Sequence, residues 1–76
     1  MNNKRREKLQ KAFSLLESAE SIIETALDEE SDCLNNMPEN LENSERYEKM
    51  ENAVDNLEDA LESISTTKNL IEEASE

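Results

Sequence analysis

Glycine, histidine and tryptophan are absent from this chain, and proline, cysteine, phenylalanine and tyrosine occur once each. Without glycine, the tight positive-φ turns of β-hairpins have no ready residue, and no stretch alternates β-branched with polar side chains. A sheet protein is thereby excluded and an all-α chain remains. Without histidine there is no Ser-His-Asp triad and no Glu-x-x-His metal bundle, and no Ser or Cys stands beside a recognisable base. The sequence therefore predicts no enzyme and no cofactor. Cys33 alone can form neither an internal disulfide nor a cysteine metal site, which fits a reducing cytoplasm. The longest apolar run is two residues, so no segment reads as a membrane span. Lys4, Arg5 and Arg6 resemble the charged start of an export signal, but Glu7, Lys8, Gln10 and Lys11 follow where an apolar segment is required. The expectation is a soluble, cytoplasmic chain.

What is present is a seven-residue repeat of small side chains. Ala12, Ala19 and Ala26 recur in the first half; Ala53, Ala60 and Ala74 recur in the second, with Thr67 in the gap. Assigning heptad position a to Leu9 gives Leu9, Leu16, Ile23 and Glu30 at a, and Ala12, Ala19, Ala26 and Cys33 at d. Starting a at Met50 gives Met50, Leu57, Ile64 and Ile71, with Ala53, Ala60, Thr67 and Ala74 at d. Two amphipathic helices are predicted, over about residues 4–34 and 44–75, joined by a linker over about 35–43. Each would run roughly 46 Å at ~1.5 Å per residue.

The break is written in Asn35, Asn36 and Pro38. Asparagine is the residue expected to enter the left-handed region that ends a helix where glycine is lacking. Pro38 is suited to open a single turn through Leu41, and Ser44 to cap the second helix with its hydroxyl. Helices this long with a short connection fold back as an antiparallel hairpin, its apolar seam closed at the corner by Met37, Leu41 and Tyr47. Charge agrees with that closure. Lys4, Arg5, Arg6, Lys8 and Lys11 crowd one helix N-terminus, and Glu72, Glu73 and Glu76 the other helix's C-terminus. Both placements oppose the helix dipole, and each set would offset the other. At the corner, Asp28, Glu29, Glu30 and Asp32 are expected to meet Arg46 and Lys49.

An a/d seam leaves Phe13, Leu15, Ile22, Leu27, Val54, Leu61 and Leu70 unaccounted for. Each would forfeit on the order of 1.5 to 3 kcal/mol if left in water. The sequence therefore predicts a homodimer, two hairpins forming a four-helix bundle cored by Leu9, Leu16, Ile23, Leu57, Ile64 and Ile71. The alternatives are a different protein covering that apolar edge, or a monomer that tolerates it.

Net charge is −12. Residues 1–11 hold five basic residues and one acidic; residues 12–76 hold three basic and nineteen acidic. Cations confined to one end argue against direct nucleic-acid binding. Acidic ridges argue for the reverse. Glu51, Asp55, Glu58 and Glu62 step along one face with Asp59 beside them, and Glu17, Glu20, Glu24 and Asp28 repeat the arrangement. The charge amounts to one per ~4 Å of a 46 Å rod, or ~2 Å in a side-by-side dimer, against ~1.7 Å for duplex DNA. The function expected is a protein-binding module that mimics nucleic acid in the basic groove of a host enzyme or defence effector, with Glu51, Asp55, Glu58, Asp59 and Glu62 in contact. The simpler alternative is a solvated acidic surface, with binding through an apolar edge of Phe13, Ile22, Leu27, Val54 and Leu61, as in an adaptor bundle. Residues 28–51 carry nine acids against Arg46 and Lys49, so a basic partner would be steered to the corner first.

Two further patterns carry less. Asp28, Glu30, Asp32, Asn36 and Glu39 fall at EF-hand positions 1, 3, 5, 9 and 12, but Cys33 stands where that loop needs glycine. Cys33 itself falls in the small stripe, as a buried spacer would.

The run from Asp28 to Leu61 resembles small uncharacterised helical proteins of Firmicutes and their phages. The features that carry it are Asp28-Glu29-Glu30, Asn36, Pro38-Glu39, Leu41, Ser44-Glu45-Arg46 and Met50-Glu51 leading into Ala53-Val54-Asp55-Asn56-Leu57. It covers just under half of the chain and departs at Tyr47, where a small residue is commoner, and at the basic N-terminus. The resemblance implies a phage or mobile-element setting and no mechanism.

Overall fold

The computed structural model describes residues 1–41 and 44–76. Helix α1 spans Asn3–Asn35 and helix α2 spans Glu45–Ala74, with a 3₁₀ turn at Glu39–Leu41 between them. The molecule is an antiparallel two-helix hairpin, a rod of 59 × 15 × 13 Å. The ends lie within one residue of the expected bounds; the last two residues of the expected linker, Glu42 and Asn43, lie outside the described residues.

Local chemistry accounts for the ends. The Asn2 side chain accepts from the Arg5 backbone N–H at 2.9 Å and caps α1. Ser44 caps α2 as expected: its hydroxyl accepts from Tyr47 N–H at 3.2 Å and donates to the Leu41 carbonyl at 2.6 Å. Pro38 opens the turn as expected, its carbonyl accepting from Leu41 N–H at 2.9 Å. The asparagine exit differs. Asn36 sits at φ −97°, ψ 6°, and no described residue has positive φ. Its N–H makes an ordinary α-helical bond to the Asp32 carbonyl at 3.1 Å, and Met37 N–H then bonds three residues back to the Leu34 carbonyl at 3.2 Å, so the chain leaves the helix through a tightened turn and no left-handed residue is needed.

The seam between the helices also differs from the a/d prediction. Half-buried residues on α1 include Leu9, Phe13, Leu16, Glu20, Ile23, Leu27, Glu30 and Leu34; on α2 they include Tyr47, Met50, Val54, Leu57, Leu61, Ile64, Lys68 and Ile71. These are heptad positions a and e. Position d flanks them: Ala12, Ala19, Ala53 and Ala60 are half-buried, while Ala26, Cys33, Thr67 and Ala74 are exposed. The reason is size. Apolar stabilisation scales with the area covered, so turning Phe13, Leu27, Leu34, Val54 and Leu61 inward covers more than an alanine stripe can. Cys33 is accordingly exposed rather than a buried spacer. No described residue is fully buried, because each helix has one neighbour.

Candidate functional site

Antiparallel pairing through a and e puts the same flanking letters of both helices on the same side of the rod. Positions b and f fall to one side, d and g to the other. Interhelical contacts fix the register. Arg6 donates from Nε to the Ser75 carbonyl at 3.0 Å and from Nη2 to the Glu76 carbonyl at 3.4 Å. The basic N-terminus thus meets the C-terminus of α2, through backbone carbonyls at its negative dipole end rather than through carboxylates. A shallow groove at this open end is lined by Leu9, Phe13 and Ile71 from the seam and by Gln10 and Glu72, both at b.

Farther along, Lys68 Nζ lies 3.0 Å from Glu20 Oε1, both side chains largely covered, and 5.5 Å from the Phe13 ring centroid. Its hydrogen bond to Glu20 raises the Lys68 pKa above its ordinary value; partial desolvation opposes this, and the charges of Glu20, Glu17 and Glu72 add to it. Gln10 of α1 and Glu72 of α2, both at b, line the same open-end groove, so the b rows of the two helices share one side. Glu20 therefore belongs to the seam and not to the exposed ridge expected with Glu17, Glu24 and Asp28. Its position in the e row beside Phe13 and Leu27 was the available signal.

The b and f rows of the two helices form a continuous acidic face. They contain ten carboxylates, among them Glu17, Glu24, Asp28, Glu51, Asp55, Glu58 and Glu62, and not one lysine or arginine. All seven of those named are exposed. Of the five contact candidates, Glu51, Asp55, Glu58 and Glu62 lie on this face; Asp59, at c, turns toward the back of α2. The expected core residues Leu9, Leu16, Ile23, Leu57, Ile64 and Ile71 all line the hairpin's own seam, half-buried. Over the observed 59 Å the net −12 amounts to one charge per ~5 Å, sparser than the 46 Å rod implied.

The opposite face carries the exposed apolar side chains, with four cations, Arg5, Lys8, Arg46 and Lys49, toward its ends. Leu15, Ile22 and Leu70, all at g, are 63%, 71% and 59% exposed beside the small d side chains. The apolar edge is thus Leu15, Ile22 and Leu70; of the residues expected there, Phe13, Leu27, Val54 and Leu61 are in the seam and only Ile22 is exposed.

Other expectations resolve simply. Lys49 pairs with Glu45 of its own helix at 3.4 Å, and no ion pair among the described residues joins Arg46 or Lys49 to the acids of α1. A partner one turn away on the same helix is nearer than one across the corner. Asp28, Glu30 and Asp32 lie within continuous α1, so the EF-hand count falls on a helix instead of a loop. Leu41, expected to close the corner with Met37 and Tyr47, is 40% exposed, whereas those two are half-buried. No described helix is long and apolar enough to cross a membrane. No family model, curated protein or solved structure matches the chain.

Proposed function

We propose that this chain is a non-enzymatic acidic protein-binding module, occupying the basic groove of a nucleic-acid enzyme or defence effector in a bacterial host. One observation carries the reading: the b and f rows hold ten carboxylates and no cation over the length of both helices. A surface serving only solubility intersperses both signs. Here the cations are sorted elsewhere: Arg5, Lys8, Arg46 and Lys49 to d and g, Lys4 and Lys11 to c, and Arg6 and Lys68 to e. A straight, one-sided array of carboxylates presents the feature that a groove built for phosphates selects, negative charge repeated along a line. The resemblance to helical proteins of Firmicutes and their phages supplies the setting.

The test is affinity capture from bacterial lysate at low and high salt, with glutamine at 51, 55, 58, 59 and 62 as the control variant. The expected result is a nucleic-acid-binding protein retained at low salt, displaced by duplex DNA and not retained by the variant. Equal retention by the variant, or indifference to duplex DNA, would defeat the reading.

A further inference from the structure

We infer that the apolar face is a self-association surface, on which α1 packs antiparallel against α1 of a second copy about a two-fold axis near Ser18 and Ala19. A two-fold interface must be self-complementary, because each residue meets its mirror position on an identical surface. The exposed g row of α1 meets this condition. It reads Lys8, Leu15, Ile22, Glu29 at equal spacing. Turned end for end, it places Lys8 opposite Glu29 of the second copy and Leu15 opposite Ile22. A parallel arrangement would instead stack Lys8 on Lys8 and Glu29 on Glu29. Neither Lys8 nor Glu29 enters an ion pair among the described residues.

The d row alongside, Ala12, Ala19 and Ala26, is centred on Ala19, next to that axis, and lets two backbones approach closely. Together the rows make a second seam on α1, Lys8-Ala12-Leu15-Ala19-Ile22-Ala26-Glu29, alternating steps of four and three. Position g of α2 holds Lys49, Asn56 and Ser63 before Leu70, so α1 is the helix that faces the second copy.

Whole-molecule charge selects the same orientation. The corner, residues 28–51, is net −7; the open end, residues 1–11 with 68–76, is net +2. An antiparallel pair sets each corner beside an open end, while a parallel pair sets two acidic corners together. Surface area leaves room for the contact. The chain exposes 5877 Å², against ~4,700 Å² for a globular chain of its mass, and the excess exceeds the ~800 Å² that each partner contributes to a standard interface.

Cys33, the single and exposed cysteine, supplies the test. Sedimentation equilibrium should give twice the 8.7 kDa of one chain, and nitroxides on Cys33 should report a separation of about 40–45 Å, twice the rise from the axis to residue 33. A mass of 8.7 kDa, or a separation near the ~10 Å of side-by-side helices in parallel, overturns the inference. Charge exchange is the second arm. K8E should raise the dissociation constant at least about tenfold and K8E/E29K should restore it; failure to restore also overturns it. The five-glutamine variant, altered at b, c and f, should still dimerise, so this inference and the acidic-face reading fail separately.

Discussion

Glu20 and Lys68 meet across the seam at 3.0 Å, at e positions that elsewhere on the two helices hold Phe13, Leu27, Leu34, Val54 and Leu61. The pair fixes register, because a slip of one heptad would put each charge against an apolar neighbour. Covered ion pairs are commonly outperformed in stability by well-packed apolar side chains, while leaving one charge alone is costly. E20L/K68L should therefore melt higher than the parent, and E20L, which leaves the Lys68 ammonium without its carboxylate, should melt lower. Thermal circular dichroism reads both; a double variant no more stable than E20L would contradict the account.

The same pair sets a pH dependence. Folding raises the Lys68 pKa, so the folded state binds that proton more tightly than the unfolded chain does. Its contribution is complete below the ordinary lysine value of 10.5 and is lost as pH climbs through the higher folded value. Urea midpoints should fall above that pH in the parent, and fall less steeply in K68M.

Ser44 holds the start of α2 with one hydroxyl that both accepts and donates. Ser44→Ala should cost about 1 kcal/mol of unfolding free energy, and Ser44→Gly only a few tenths. Denaturant titration at constant slope would show it, and equal losses in both variants would point to something other than the cap.

A face of like charges repels itself, and salt screens that repulsion over ~10 Å at 0.1 M. Added sodium chloride should raise the melting temperature of this net −12 chain while weakening capture of a basic partner. The five-glutamine variant should show a smaller rise. A melting temperature that falls with salt would mean that attractive pairs outweigh the repulsion.

The helices, their bounds, the Pro38 turn and the Ser44 cap were legible because each depends on nearest neighbours in sequence. The seam was less so. Alanine every seventh residue suggests a close-packed stripe, yet what turns inward is decided by which rows on both helices jointly cover most area, and Phe13 and Leu61 outweigh Ala12 and Ala60. Glu20 and Lys68 were hidden for a related reason: taken singly, each reads as a solvated charge, and only the register of two helices makes them partners. The acidic face emerged with the same correction, since moving the seam from a/d to a/e sorts the carboxylates into b and f and isolates Asp59. Asn36 shows the limit of residue preference, because a tightened last turn satisfied the backbone without a left-handed residue.

With no buried residue anywhere among those described, the hairpin has no centre to collapse around. Its cohesion is divided among successive cross-helix layers, each touching only the next, so stability accumulates along a line as in a solenoid. The layers are unequal in loop closure: Met37 and Tyr47 flank the corner ten residues apart, whereas Arg6 reaches Ser75 across nearly the whole chain. Short loops close at least entropic cost. The order of assembly follows, from the Pro38 corner outward, with the Arg6 clasp the last to form and the first to fray, and with amide protons near residues 6 and 75 exchanging far sooner than those near Leu27 and Leu57.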